Sequence, residues 1–190
     1  IIVGDNYHQL PIFSLFIGVV LFLGIREIPI FVQNVNASPF VFILYVFVFV
    51  LQINRYPLIS WNFSEIHLLV ALVLLTMIVE IFRKKETPLI NISSVIFVFI
   101  WLGVMLGSLA ILRNLAMIGF SITLALFLSV WICDTAAFGF GVKFGKRKIL
   151  PSVSPNKTWV GTIAGLLSSI IFMIFLYSYS FFPPIIYVFF

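Results

Sequence analysis

The sequence contains few charged residues, a single cysteine and no long segment in which apolar and polar residues alternate. Only 9% of its 190 residues are charged and 63% are hydrophobic, which excludes a soluble globular domain and indicates an integral membrane protein. The apolar runs are continuous, so they favour transmembrane helices over a closed barrel. Because Cys133 is the only cysteine, no internal disulfide can form.

Six apolar runs predict an all-α protein, a polytopic transmembrane helical bundle. A helix needs about 20 apolar residues to cross a hydrocarbon core of roughly 30 Å. We predict about six complete spans plus a truncated seventh, all within a single integral membrane domain at residues 1–190. The six runs lie at residues 10–25, 39–53, 66–82, 89–112, 115–133 and 162–182.

Both ends of the sequence bear on this count. The chain begins at Ile1 without a Met and without a basic segment before its first apolar run, so no cleavable secretory signal is visible. Only residues 185–190 follow Pro183 and Pro184, and they are too few to cross a bilayer. We expect the sequence to be cropped at both ends.

Positive charge predicts which loops face the cytoplasm, because Lys and Arg near span ends are retained on that side. The loops after the first, third and fifth runs hold nine of the eleven Lys and Arg residues, and the opposite loops hold only Arg55 and Arg113. We therefore expect a multi-pass protein of the cell inner (plasma) membrane. Its basic, Gly-rich segment, predicted as a loop at residues 134–159, should lie on the cytoplasmic side.

Asp134 ends the fifth apolar run and is the sharpest candidate for function. A carboxylate at that depth is unfavourable unless it is paired, solvated or bound to a metal. Mg²⁺ suits it, since this ion usually takes one or two protein carboxylates together with water and substrate phosphate oxygens. An ion pair with Lys143 or Lys146 is the alternative, and the sequence favours neither.

The segment after Asp134 combines glycines with five of the eleven basic residues. Gly139, Gly141 and Gly145 would let backbone amides point at phosphate oxygens, while Lys146 and Lys148 supply charge. A flexible loop that follows the charge bias or touches anionic lipid is the more common meaning of such a segment. Walker-type spacing is absent.

The motif Ser154-Pro155-Asn156-Lys157-Thr158-Trp159 opens the sixth run. A Ser or Thr before an apolar run caps a helix, and the exposed amides of the first turn favour anions. Lys157 would then stand at an anion-binding helix start. The alternative is an ordinary interfacial lysine beside a capped span.

Together these residues closely resemble the bacterial phosphatidate cytidylyltransferases, also called CDP-diacylglycerol synthases. That family carries an Asp-Thr-Gly/Ala-Ala-Tyr block, a Phe-Gly-Lys block and Ser-Pro-x-Lys-Thr-Trp-Glu-Gly. Here the blocks read Asp134-Thr135-Ala136-Ala137-Phe138, Phe144-Gly145-Lys146 and Ser154-Pro155-Asn156-Lys157-Thr158-Trp159-Val160-Gly161. The resemblance is strong over residues 129–165, roughly a fifth of the chain.

The resemblance implies an enzyme that condenses CTP with phosphatidic acid to CDP-diacylglycerol and pyrophosphate, with Mg²⁺, in phospholipid biosynthesis. On this basis Asp134 is assigned to Mg²⁺, and Asp134 and Lys157 to catalysis. Lys146, Lys148 and Lys157 would bind the triphosphate or the lipid phosphate, with Ser154, Asn156 and Thr158 as positioning donors. The expected partners are CTP, phosphatidic acid and the bilayer, without nucleic acid, and a homodimer is left open.

Two departures from the family pattern qualify these expectations. Val160 replaces the family's glutamate. The family's second signature, with Lys-Asp, Gly-His-Gly-Gly and Asp-Arg near the C-terminus, does not occur within the 190 residues. Because in-line phosphoryl chemistry often uses two metals, we expect residues 1–190 to be inactive on their own.

Two other functions compete with this one. A non-catalytic membrane protein or transporter subunit would use the basic segment only to set topology or to bind anionic lipid. A CTP-dependent polyprenol kinase would share the nucleotide but transfer its γ-phosphoryl group. Elsewhere Glu80 lies three and four residues before Arg83 and Lys84, a spacing that favours helical ion pairing over catalysis.

Overall fold

The structure is a computed structural model that describes residues 12–35, 37–55, 63–115, 118–152, 154–179 and 181. Its described residues form an all-α membrane protein with one small β-hairpin, which confirms the predicted fold class. The chain divides into two compact units, Ile1–Leu112 and Arg113–Phe190. The single domain predicted for residues 1–190 stays a prediction.

Six helices cover the six predicted apolar runs. Within the part of the chain that the structure describes, five of them are long and apolar enough to cross a membrane. The exception is the second, which has 14 residues. In chain order the helices are α1 (Ile12–Val32), α2 (Val41–Asn54), α3 (Glu65–Arg83), α4 (Pro88–Arg113), α5 (Gly119–Phe144) and α6 (Trp159–Ser178).

Three boundaries differ from the sequence prediction. Helix α1 continues past Arg26 and includes Pro29, so it is 21 residues long. Helix α5 does not end at Cys133 but runs eleven residues further, to Phe144. The predicted second span is a short helix, which lowers the number of full-length spans among the described residues from six to five. The truncated seventh span lies outside the described residues.

The first unit packs α1 to α4 around an apolar core. Helix α1 buries Phe13, Ile17, Leu21 and Ile25, which recur every four residues and therefore share one face. Leu44 and Leu51 of α2 and Phe99 of α4 are also among the buried side chains of this unit. Local signals fix the helix starts: the Ser64 hydroxyl accepts from the Ile66 amide at the start of α3, and Pro88 opens α4.

A buried polar cluster ties α3, α4 and the segment before α2 together. Asn91 is fully buried, accepts from the Ser38 amide at 2.7 Å and donates to Glu80 Oε2 at 3.2 Å. Glu80 also pairs with Arg83, whose guanidinium donates to the Ser38 carbonyl at 2.9 Å. The predicted Glu80–Arg83 ion pair is thus confirmed, and it is structural.

We expect Asn91→Ala to lower the free energy of unfolding by about 2–3 kcal/mol, because it leaves the Ser38 amide and one Glu80 oxygen without this partner. The measurement is chemical unfolding in detergent micelles. Ser93→Ala on the same helix is the control, since the exposed Ser93 hydroxyl bonds only its own helix at Leu89. Equal stabilities of the two variants would contradict the expectation.

A second polar contact involves an irregular part of α4. Residues Phe99–Leu106 form a π-helix, a geometry that disturbs the usual pairing of backbone carbonyls. The buried Arg55 guanidinium donates to the Gly103 carbonyl at 3.0 Å and pairs with Glu65 at 2.6 Å. Arg55 therefore joins the ends of α2 and α3 to α4.

The second unit consists of α5, α6 and the hairpin between them. The two helices run antiparallel and contact each other through small residues, whereas many of their large apolar side chains are exposed, as expected for a lipid-facing surface. The hairpin comprises β1 (Lys148–Leu150) and β2 (Ser154–Thr158). This unit holds every residue that the sequence nominated for function.

Candidate functional site

The basic segment between α5 and α6 is a β-hairpin rather than an open loop. Strands β1 and β2 are antiparallel, with Lys148 opposite Thr158 and Leu150 opposite Ser154. The Trp159 amide donates to the Arg147 carbonyl at 3.1 Å and extends the pairing to the start of α6. Residues 145–158 are called the cationic hairpin below, because they carry Lys146, Arg147, Lys148 and Lys157. The predicted loop at residues 134–159 is therefore wrong over residues 134–144, which are helical.

Thr158 joins the cationic hairpin to α6. Its hydroxyl accepts from the Gly161 amide at 3.2 Å, so Thr158 is the N-cap of the helix. This confirms the predicted cap. The side chain is only 4% exposed, in contrast to the neighbouring Asn156 and Lys157, which are exposed.

The glycines before the hairpin do not form the phosphate-binding loop that the sequence suggested. Gly139 and Gly141 lie inside α5, where amides are engaged in helical hydrogen bonds, and no described glycine has a positive φ. Gly141 instead allows close packing, because a Cβ there would lie 3.2 Å from the Thr158 hydroxyl oxygen and 3.5 Å from Gly161 Cα. Gly161 and Gly165 continue this contact from α6, against Ala137 and Cys133. The physical reason for the error is that glycine serves helix approach as well as turns.

Asp134 lies within α5, ten residues before its last residue, Phe144. At 1.5 Å per residue it stands about 15 Å along the axis from the helix end. Its side chain is exposed and makes no ion pair with any described Lys or Arg. Lys143 follows nine residues later on the same helix, which at 100° per residue places it on the opposite side. The ion-pair alternative with Lys143 or Lys146 therefore has no support in the described residues.

Metal binding can be tested against the groups present. Within the described ranges no three His, Cys, Asp or Glu side chains come together. Asp134 is also the only acidic residue between positions 113 and 190. One exposed carboxylate fits Mg²⁺ only if substrate phosphates and water provide the other ligands, and that is how this ion is commonly bound.

The net positive charge of the protein is concentrated in the second unit. Residues 1–112 contain five basic and five acidic residues, whereas residues 113–190 contain six basic residues and one acid. The formal net charge of +5 is therefore carried by the α5–α6 unit. Lys146, Lys148 and Lys157 are exposed and form no side-chain hydrogen bond that involves a described residue. These cations are available to a polyanion.

The other nominated residues differ in their surroundings. Ser154, at the start of β2, is half-buried, and Asn156 is exposed in the same strand. Val160, in the position of the family's glutamate, lies in the first turn of α6 and is about 39% exposed. The first turn of α6, which follows the cationic hairpin, therefore has no carboxylate at this position.

A groove of this unit lies elsewhere on α5. It measures about 610 Å³, is almost wholly apolar, and has Thr135, Ala136 and Gly139 among its lining residues together with Trp131 and Phe140. Asp134 does not line it. The neighbouring Ala137 contacts Gly161 and Gly165 of α6 instead. Lys143 is the one charged residue in its lining, and none of the residues assigned to the candidate site lines the groove.

The sequence analysis assigned Gly141 and Gly145 to phosphate binding and missed their packing against the cationic hairpin. Gly141, Gly145 and Gly161 surround Thr158, and a Cβ at Gly145 would lie 2.6 Å from its methyl carbon. Their signal is spacing: Gly141 and Gly145 are four residues apart, as are Gly161 and Gly165, and small residues at this interval let two helices approach closely.

Comparisons with known proteins identify the family of the chain. The chain matches the model of the cytidylyltransferase family over residues 3–190. It is 43% identical over 53 residues to a phosphatidate cytidylyltransferase of Haemophilus influenzae, which is 28% of this chain and 18% of that protein. It is 53% identical over 45 residues to the phosphatidate cytidylyltransferase of Staphylococcus haemolyticus, 24% of this chain and 17% of the relative, and 51% identical over the same length to that of Staphylococcus saprophyticus. No solved structure matches the chain.

The curated relatives are thus matched over less than a fifth of their length, whereas the family model covers nearly the whole chain. A match over 3–190 includes both units and all the nominated residues. The described residues include five helices long and apolar enough to cross a membrane, and the family model covers nearly the whole chain, so the chain belongs to the cytidylyltransferase family.

Proposed function

We propose that the protein is a phosphatidate cytidylyltransferase, which transfers CMP from CTP to phosphatidic acid and releases pyrophosphate. The observation that carries the proposal is the α5–α6 unit, which places four exposed cations on one hairpin and a single exposed carboxylate on the helix that leads into it. Membership of the cytidylyltransferase family and the names of the matched relatives support it.

The chain's own residues have distinct tasks in this proposal. Lys146, Lys148 and Lys157 bind the triphosphate and neutralise charge that develops on the phosphoryl and pyrophosphate oxygens. Ser154 and Asn156 donate hydrogen bonds that orient the substrates. Asp134 holds Mg²⁺, which when bound supplies further neutralisation of phosphate charge. A phosphate oxygen of phosphatidic acid attacks the α-phosphorus of CTP, and the bond from that phosphorus to the β-phosphate bridging oxygen breaks. The protein needs no nucleophile.

We also propose that the cationic hairpin faces the cytoplasm from the inner membrane. The loops predicted on the opposite side of the membrane carry only two basic residues, Arg55 and Arg113. The Arg55 guanidinium is engaged in contacts inside the first unit. The hairpin, by contrast, has four exposed cations that contribute fully to the charge bias. CTP is a cytoplasmic substrate, so this orientation and the activity are consistent.

Product analysis tests the activity. The full-length gene product in detergent–lipid micelles, supplied with Mg²⁺, phosphatidic acid and CTP labelled on either the α- or the γ-phosphorus, should place the α-label in the lipid and the γ-label in pyrophosphate. A polyprenol kinase would instead place the γ-label in a polyprenol and release CDP. Absence of lipid labelling from either nucleotide, with phosphatidic acid and with polyprenol, would favour a non-catalytic membrane protein. A heat-inactivated sample provides the background.

A further inference from the structure

We infer that Thr158 is a positioning residue that locks the cationic hairpin, and with it Lys148 and Lys157, onto the α5–α6 pair. The inference gives Thr158 a role other than the substrate contact that the sequence suggested. It is drawn from the packing around a single buried side chain and from the backbone bonds on either side of it. Only its kinetic consequence rests on the proposed function.

Burial and hydrogen bonding separate Thr158 from a ligand contact. The residue is 4% exposed, whereas its neighbours Asn156 and Lys157 are exposed. Its hydroxyl oxygen already accepts from the Gly161 amide at 3.2 Å. A side chain enclosed in this way cannot reach a triphosphate without leaving its helix, so it must act through the groups attached to it.

The enclosure is made by glycines of both helices. A Cβ at Gly145 would lie 2.6 Å from the Thr158 methyl carbon, and one at Gly161 or Gly141 would lie 3.1 or 3.2 Å from the hydroxyl oxygen. Both branches of the threonine side chain are therefore enclosed: the hydroxyl lies between α6 and the end of α5, and the methyl lies against Gly145. The Gly145 amide donates to the Gly141 carbonyl at 3.0 Å and holds these two glycines in place. The space between Gly141, Gly145 and Gly161 that encloses the Thr158 side chain is called the notch below.

Both strands of the hairpin meet at the same place. Lys148 is the strand partner of Thr158, and the next backbone bond joins Trp159 to Arg147. Release of Thr158 from the notch would therefore shift Lys148 from the β1 side and Lys157 from the β2 side together. The cap, the notch and the strand pairing together hold three cations in place, namely Arg147, Lys148 and Lys157.

Limited trypsin digestion tests this arrangement without any assay of activity. Thr158→Val keeps the branched shape but loses the cap, and Ser64→Ala is its matched control, because Ser64 caps α3 with a similar bond to the Ile66 amide at 3.4 Å. Loss of an N-cap raises the population of the opened state by roughly fivefold or more. Cleavage after Lys146, Arg147 or Lys148 should rise by that factor in Thr158→Val, relative to cleavage after Lys84 and Lys85 in the same digest, and should not rise in Ser64→Ala.

Kinetics add a readout that a loss of general stability would not move. In the full-length gene product, Thr158→Val should raise KM for CTP by roughly fivefold, whereas Ser64→Ala should leave KM unaltered. The melting temperatures of the two variants should be equal. Thr158→Ser keeps the capping hydroxyl and should restore both KM and trypsin resistance.

The two arms separate the two ideas. If the unsubstituted protein transfers no CMP, the proposed function fails, and the digestion alone decides the role of Thr158. If Thr158→Val matches Ser64→Ala in hairpin cleavage, the inference is wrong whatever the activity. Normal cleavage combined with a raised KM would make Thr158 a direct substrate contact, and that result also overturns the inference.

Discussion

Asp134→Asn is expected to reduce Mg²⁺-dependent transfer of CMP to phosphatidic acid by about a thousandfold. The substitution preserves size but removes the only acid of the second unit, and metal-borne charge neutralisation is worth several kcal/mol in phosphoryl transfer. Because Asp134 is exposed and unpaired among the described residues, its loss disturbs no ion pair of the fold. The expected defect therefore lies in turnover and metal affinity, with stability retained.

The measurements are initial rates over a range of Mg²⁺ and, independently of activity, Mn²⁺ binding followed by electron paramagnetic resonance in the presence of CTP. Glu86→Gln is the matched control, since it removes one negative charge from another exposed acid, in the first unit. Asp134→Glu keeps a carboxylate and should recover part of the metal affinity. A rate and a Mn²⁺ affinity equal to those of the unsubstituted protein in Asp134→Asn would show that Asp134 holds no metal.

The sequence predicted the features of the protein that depend on residue type and near neighbours. The cap at Thr158 and the pairing of Glu80 with Arg83 both follow from spacing along the chain, and both are confirmed. Asp134 was misplaced at a helix end, because small and apolar residues after it resemble a loop until α6 packs against them. Ten further residues of α5 remain helical in this setting.

Contacts between distant residues lay beyond sequence reasoning. Arg55 was read as an outer-loop residue, yet its guanidinium reaches Gly103, 48 positions away, where a π-helix alters carbonyl pairing. Asn91 is one polar residue in an apolar run, so the sequence did not indicate a role for it. In the structure it accepts a hydrogen bond from the Ser38 amide, 53 positions away. Hydropathy patterns report which residues are apolar, whereas these bonds depend on how helices face one another, which a pattern of period 3.6 does not encode.

The close approach of α5 and α6 leads to the other large effect. Gly161 is buried, and a Cβ there would lie 2.5 Å from the Ala137 carbonyl oxygen and 3.1 Å from Gly141 Cα. Both obstacles are backbone atoms, so a side chain fits only if the helices separate. We expect Gly161→Leu to destabilise the helix pair by about 3 kcal/mol, and Gly161→Ala by less. The residue keeps its amide, so the Thr158 cap retains its donor.

Gly139→Leu is the matched control, because the same substitution at this position should not destabilise the helix pair. A Cβ at Gly139 meets no atom within 4 Å, and leucine favours a helix over glycine by up to about 1 kcal/mol, so this variant should be neutral or slightly stabilised. The single thiol, Cys133, reports the separation because its Sγ lies against Gly165 on α6. Maleimide labelling of Cys133 in micelles should accelerate in Gly161→Leu and stay unchanged in Gly139→Leu. Equal labelling rates in the two variants would mean that the α5–α6 contact tolerates a side chain at Gly161. Close packing of small residues would then no longer explain how the cationic hairpin is held on this helix pair.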